Sequence, residues 1–462
     1  MKNNSKFDRA VVIGGSMAGL LAARVLSDFY GETIVLERDE LKDAGEQRRG
    51  VPHGRHAHAI LAGGLQVIEE LFPGISDELI AGGALLSDPL KDGRWFFEGG
   101  DLARSASGTD SIMSSRPFLE DGVRKRVRRL ARVKILDNQS VRQLVTENGR
   151  VIGIQTDNGM LEADLVVDAA GRGSQTPQWL ESMGFHKPPE ERVEVQLAYT
   201  TRIFRRRPRH MNGDDFVVVN PTPEGKRGGV VLAKENNEWI VTLFGFFGNK
   251  APEDLAGYID YAGSLAAPYI HELVSQAEPI GDAERFNFPA SVRRRYEKVP
   301  GFPEGLLVFG DAICSFNPAY GQGMSSASLQ AIALRDTLAG SDKNLARRFF
   351  SRAAKVIDNP WSIAVGGDLK MPEATGHRGL DVKLINWYMG HLHRRGHNHV
   401  DASLAFVRVA QLLDPPTSLM RPSMIVRVLA GALRRWISRS HETSEQILRS
   451  VEPARRQAGD GF

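Results

Sequence analysis

"AVVIGGSMAGLLAARVL", residues 10–26, is the stretch whose reading decides the fold. An apolar run stops at two glycines, and a helix-forming segment follows in which Leu21, Val25 and Phe29, joined by Ala18 and Ala22, recur at helical spacing. Gly31 closes that helix, and "TIVLERD", 33–39, supplies a second strand. Strand, tight turn, helix and strand in this order make a βαβ unit, and a strand apolar throughout belongs to a parallel sheet covered on both faces. The glycine positions of a dinucleotide fingerprint fall at Gly14, Ser16 and Gly19, with Met17 and Ala18 opening the helix. Gly14 permits the bend, Gly19 lets the helix pack closely, and the helix start offers amides and a positive dipole end to a pyrophosphate. Ser16 replaces the middle glycine with a small hydroxyl that can itself donate to a phosphate oxygen. Glu37 ends the second strand, where a carboxylate binds ribose hydroxyls.

The rest of the composition narrows the class. The chain has 462 residues with 59 basic and 56 acidic side chains, a net charge of only +3, so no nucleic-acid partner is expected. Its one cysteine, Cys314, allows no intramolecular disulfide, which fits a reducing, cytoplasmic setting. The polar start "MKNNSKFDR" runs straight into a strand, unlike a secretory signal, and no apolar stretch is long enough to cross a bilayer.

Along the chain, 1–185 reads as the first part of an α/β, Rossmann-like domain with an excursion near 80–110. It contains a Gly- and Arg-rich loop at 45–58, a helix near 60–71, a helix from Arg116, the strand "VKIL", a hairpin over 141–156 and the buried strand in "LEADLVVDAAGRGS". Residues 186–300 are β-rich and are expected to form an antiparallel sheet. At 301–345 the grammar of buried strand, glycine turn and helix returns, and 346–462 is mainly helical.

That return segment bears on which dinucleotide is bound. In "VFGDAICSFNPAYGQGMSSA", Asp311 ends an apolar strand, and Pro318, Gly321 and Gly323 shape a loop that feeds a helix at Met324. An extended FAD needs such a second anchor: a carboxylate for its ribityl hydroxyls, and a helix start aimed at the part of the flavin that gains negative charge on reduction.

Taken with "RRGVPHGRHAHAILAGG", "SSRPFLEDGVR" and "DLVVDAAGRGS", these blocks resemble the FAD-dependent monooxygenases of the aromatic-hydroxylase type over about residues 8–340, and within them the flavin epoxidases of polyether-antibiotic biosynthesis. The resemblance implies a glutathione-reductase-type FAD domain with an inserted substrate sheet. It implies FAD contacts from Gly14, Ser16, Met17, Ala18, Gly19, Glu37, Arg38, Arg116, Val141, Asp311, Gly321, Gly323 and Met324. Arg49 is nominated to lie over the flavin edge, with Arg48 and Arg55 as competitors. The reaction implied is oxygen transfer from a C4a-(hydro)peroxyflavin to a double bond or aromatic carbon of a hydrophobic small molecule in secondary metabolism. Pro318, Gly321 and Gly323 form the flavin-face loop, and no acid or base is assigned. Ala170 departs from the family's aspartate-glycine pair, so electrons come either from a transiently docked NAD(P)H or from a partner flavin reductase, with O2 as co-substrate. The alternative activity is reduction or dehydrogenation of a prenyl or polyene substrate; a non-catalytic flavin-binding protein ranks below it. "GRWFFEGG" does not match the tryptophan signature of flavin halogenases.

Tyr199, Phe216, Trp239, Phe244 and Phe246 are candidates for an apolar substrate wall, although strand alternation puts only about half of such residues on one side. No metal site is expected; "HLHRRGHNH", 391–399, reads as a polar, solvated stretch. "MIVRVLAGALRRWISR", 424–439, has the pattern of a basic amphipathic helix, which caps a domain or makes weak peripheral membrane contact.

Overall fold

The computed structural model describes residues 7–42, 48, 50–341 and 343–433. A five-stranded parallel sheet lies at its centre, in the order Leu306–Val308, Leu165–Asp168, β1 (Phe7–Ile13), β2 (Tyr30–Leu36) and Val133–Leu136. Ala10, Val11 and Val12 are fully buried, as a strand covered on both faces requires. Helix α1 (Met17–Leu26) packs on this sheet, and so does the 16-residue helix Gly323–Leu338.

A second sheet of eight strands carries the β-rich region. Its long central strands, Pro279–Arg294, Glu190–Arg205, Glu238–Gly245 and Arg227–Lys234, are antiparallel neighbours. One expectation needs correction, because the sheet is mixed: Phe216–Val219 pairs parallel with Gly93–Phe97. That partner arrives from far upstream, so no hairpin imposes an antiparallel direction on it. One face of this sheet, with Phe204, Trp239, Val241 and Leu243, buries against the helices Leu255–Gly263 and Tyr269–Val274. The opposite face, with Tyr199, Phe244 and Phe288, meets Leu369 and Met371. The helices Leu345–Asp368, Leu380–Gly396 and Val400–Ala410 follow, and 422–433 is helical.

Two glycine contacts lock the parallel sheet to its helices. A side chain on Gly19 would collide with the Gly14 carbonyl, so α1 can leave the turn this tightly only with glycine there. Gly310 has φ +66°, and a β-carbon added to it would come within 2.7 Å of the Ala18 methyl. Segments nearly three hundred positions apart therefore touch at one point. Gly310→Ala should cost about 2 kcal/mol or more through left-handed strain and overpacking. Urea denaturation measures this, and a variant as stable as the parent would contradict the packing.

Candidate active site

The first turn is built for an anion. Gly14 donates to the Leu36 carbonyl (2.8 Å) and holds φ +105°. Ser16 is the N-cap of α1, but its side chain makes no capping hydrogen bond. The first amides of the helix are thus left open to a ligand. The Ser16 hydroxyl instead donates to Glu120 Oε2 (2.5 Å) and accepts from Arg116 Nη2 (3.1 Å). Glu37 closes the turn from the side: its carboxylate accepts from the Gly15 amide (2.9 Å) and the Asp39 amide (3.1 Å), and it pairs with Arg48 (2.9 Å).

Arg48 also pairs with Glu120, as does Arg124 (2.6 Å). Burial disfavours the Glu120 charge, but the guanidiniums of Arg116, Arg48 and Arg124 outweigh it and hold the carboxyl below its ordinary value. Three guanidiniums thus gather around Glu120 beside the start of α1, with Glu37 and Asp121 as their further partners. The buried Nε of Arg116 has no hydrogen-bond partner among the described residues, a donor suited to a phosphate oxygen. Arg49 lies outside the described residues; among the described ones, Arg48 is the arginine of that loop that reaches the turn.

The second anchor stands beside the first. Asp311 sits in the short turn Gly310–Ala312, directly after the glycine that touches Ala18. The Gly310 amide donates to Gln330 Oε1 (2.9 Å), tying this turn to the helix Gly323–Leu338. A β-carbon on Gly323 would lie 3.7 Å from Asp311 Oδ1, so the carboxyl borders the start of that helix. Burial pushes the Asp311 carboxyl up, opposed by the charges of Arg116 and Arg172. Arg116 therefore serves both turns, bonded to Ser16 and within electrostatic reach of Asp311. An FAD gripped at both ends fits these residues: open helix amides, an unpartnered guanidinium nitrogen and a second carboxyl for hydroxyl groups.

The loop 318–323, expected from the sequence to face the flavin, is held by a polar cluster that carries no sequence motif. Pro318–Tyr320 forms a single turn, Gly321 takes φ +66°, and Gly323 starts the next helix with Met324 buried behind it. Asn317 caps the turn by accepting from the Ala319 amide (3.0 Å) and donates through Nδ2 to Asp368 Oδ1 (2.6 Å). The Tyr320 hydroxyl donates to the same oxygen (3.2 Å), and the Tyr199 hydroxyl donates to Asn317 Oδ1 (3.4 Å). Asp368 is fully buried, and burial pushes its carboxyl up to about 7. Its place at the last residue of the helix Leu345–Asp368 also sets it at the negative end of that dipole.

Three histidines line the approach from the other side. His56 Nδ1 bonds Thr201 Oγ1 (2.8 Å), and the His56 ring lies 5.7 Å from that of Tyr199. Burial and Arg55 push His56 down to about 4; burial and Arg116 push His58 down to about 3. His53, lowered by burial and Arg116, lies against Phe286. These rings are neutral at physiological pH. The sequence displayed them in "PHGRHAH" without indicating a role.

Of the proposed wall, Tyr199, Phe244 and Phe246 share one apolar cluster beside the loop, and Phe216 lies farther along with Ile240 and Trp95. Trp239 is a correction: register puts it opposite Phe204, on the sheet face covered by helices, where it is fully buried. Val141 opens the strand Val141–Glu147, two residues after Gln139, whose amide donates to the Glu37 carbonyl (2.8 Å). Arg38 is exposed. His393 corrects the reading of 391–399 as solvated, since its ring is buried between Phe97 (4.7 Å) and Phe406 (4.6 Å). Among the described residues, no group of three or more His, Cys, Asp or Glu is arranged to hold a metal.

No family model matches the chain. It is 34% identical to Protein Rv3254 of Mycobacterium tuberculosis over 96% of its own length and 98% of that protein's. The chain belongs to that family. It is also 28% identical to FAD-dependent monooxygenase cdmI of Talaromyces verruculosus, over 43% of this chain and 40% of that one. Among solved structures, flavin-dependent brominase Bmp2 matches with a TM-score of 0.62 at 15% identity, over 93% of this chain and 100% of its own. PqsL, a probable FAD-dependent monooxygenase of Pseudomonas aeruginosa, matches at 0.60 and 14%, over 79% and 98%. The Diels-Alderase PyrE3 of pyrroindomycin biosynthesis matches at 0.60 and 17%, over 88% and 81%. Over most of its length the chain shares the fold of Bmp2 and PqsL.

The buried acid makes stability pH-dependent. Unfolded, Asp368 ionises near its ordinary 3.8; folded, it keeps its proton to about 7. Its contribution is intact below about pH 4, declines as the pH rises and is lost by about pH 7. Asp368→Asn keeps an acceptor for Asn317 and Tyr320 without the charge. Its melting temperature relative to the parent should therefore climb between about pH 4 and pH 8; a pH-independent difference would contradict this.

Proposed function

We propose that the chain is an FAD-dependent monooxygenase that transfers one oxygen atom of O2 to a carbon–carbon double bond or aromatic carbon of a hydrophobic small molecule. The observation that carries this reading is the convergence of the α1 turn, Arg116 and Asp311 beside a loop that faces an apolar sheet. The open amides of α1 and Arg116 would hold the pyrophosphate, Glu37 the adenosine ribose and Asp311 the ribityl chain. Bound there, FAD supplies reduction and activation of O2, chemistry that none of these side chains provides.

The side chains have the remaining tasks. Asn317, Tyr320 and Asp368 hold the loop in one shape, while Tyr199, Phe244 and Phe286 exclude water from the reacting side. Neutral His53, His56 and His58 add no charge to an apolar approach. The balanced reaction is substrate, O2, NAD(P)H and a proton giving oxygenated substrate, water and NAD(P)+, with electrons delivered by the nicotinamide directly or through a partner flavin reductase. Epoxidation in secondary metabolism is the form that the resemblance to flavin epoxidases favours, with hydroxylation of an aromatic carbon as the other outcome.

Since related folds include a brominase and a Diels-Alderase, the reaction itself has to be measured. Reduced enzyme supplied with 18O2 and a panel of lipophilic polyenes and aromatics should give a product carrying one labelled atom. An unlabelled product with a saturated double bond would move the assignment to a reductase. Separately, Asp311→Ala and Glu37→Ala should each weaken FAD binding by about tenfold or more, the loss expected from one charge-assisted hydrogen bond. Flavin fluorescence titration reads this, and unchanged affinity in both would remove them as anchors.

A further inference from the structure

The C-terminal helices expose apolar side chains that the proposed reaction does not use. Of the thirteen exposed large hydrophobic residues among the described ones, nine lie between 380 and 433. On the helix Leu380–Gly396, Leu380, Leu384 and Trp387 follow at spacings of four and three, so they share one stripe, and Leu380 is 84% exposed. On 422–433, Val426, Leu429 and Leu433 repeat the pattern, with Val426 67% exposed. The two helices are neighbours: Met424, Ile425 and Val428 bury with Tyr388 and Leu392, and Arg395 Nη1 donates to the Arg427 carbonyl (3.4 Å). Their packing uses one edge of each apolar face and leaves the other in water.

Charge selects the occupant. From 421 to 439 the sequence holds Arg421, Arg427, Arg434, Arg435 and Arg439 and no acidic residue; Arg427 pairs with Asp401 (2.8 Å), and 434–439 lie outside the described residues. A second copy docking by twofold symmetry would set this basic run against itself. Residues 440–462 offer only Ile447, Leu448, Val451 and Phe462 as large apolar groups, too few to cover both stripes. Exposed Leu, Val and Trp in a chain segment of basic sequence are instead what an anionic bilayer interface takes up. We infer that this two-helix face docks the protein peripherally on anionic lipid membranes, where a hydrophobic substrate would also be concentrated. Membrane attachment requires no bound flavin, so it stands or falls separately from the oxygenase reading. No helix among the described residues is long and apolar enough to cross a membrane, so the attachment is to the surface.

The test is co-sedimentation of the full chain with vesicles of phosphatidylcholine alone and of phosphatidylcholine with one-third phosphatidylglycerol. Binding should be at least tenfold tighter to the anionic vesicles. It should be lost when salt rises from about 0.1 M to about 1 M, which shortens the Debye length from about 10 to about 3 Å. Leu384→Glu with Leu429→Glu should weaken binding about tenfold or more, and Trp387 emission should shift to the blue on binding in the parent. Trp387→Ser provides an independent variant, and an unchanged circular dichroism spectrum shows that each variant is folded. Absence of binding to either vesicle would overturn the inference. So would a dimer, seen by light scattering, that the same substitutions dissociate.

Discussion

The methyl group of Ala18 rests against the bare α-carbon of Gly310, and the geometry of the site depends on that contact. It works because both turns leave the carboxyl ends of parallel strands in one sheet, β1 and Leu306–Val308, with Leu165–Asp168 between them. Parallel pairing sets both turns at the same edge, and the missing side chain at 310 lets them close up. Ser16 and Asp311 are thereby presented on one side, with Arg116 reaching between. A cofactor long enough to use both turns would complete what the chain has left open: uncapped amides at one end and a poorly solvated carboxyl at the other.

Electrostatics divide the surroundings in two. Around the start of α1, charges are kept and paired: Arg48, Arg116 and Arg124 hold Glu120 ionised against burial. Around the loop 318–323 and the sheet, charge is suppressed. His53, His56 and His58 are pushed towards the neutral form, Asp368 keeps its proton to about 7, and burial and nearby Asp368 raise Tyr199 well above its usual value. In the proposed function, the phosphates of the cofactor would use the first environment and an apolar substrate the second.

The two glycine turns were legible in the sequence because each follows an apolar run. At Gly14 and Gly19 a β-carbon would also strike backbone, whereas the close approach of Gly310 to Ala18 spans the chain and appears only in the fold. The orientation of the sheet aromatics was legible only by halves. Alternation said that residues divide between faces, but not which face meets the loop; register with Phe204 decides against Trp239. Arg48 stood in the sequence only as a competitor of Arg49. Glu120 and Asp368 could not be read at all. Glu120 acts through partners at 16 and 48, and Asp368 ends a helix in a region without motif, meeting Asn317 and Tyr320 only after the chain has folded back. His393 was read as solvated because its stretch is largely polar, whereas a helix buries one face whatever the others carry.

The central claim is that a single FAD spans both turns, and a crystal structure of the protein grown with excess FAD tests it most directly. The account predicts the pyrophosphate at the amides of α1 within hydrogen-bond reach of Arg116, adenosine ribose at Glu37, and the ribityl chain beside Asp311. A flavin bound elsewhere, or crystals of folded protein that take up none, would contradict it.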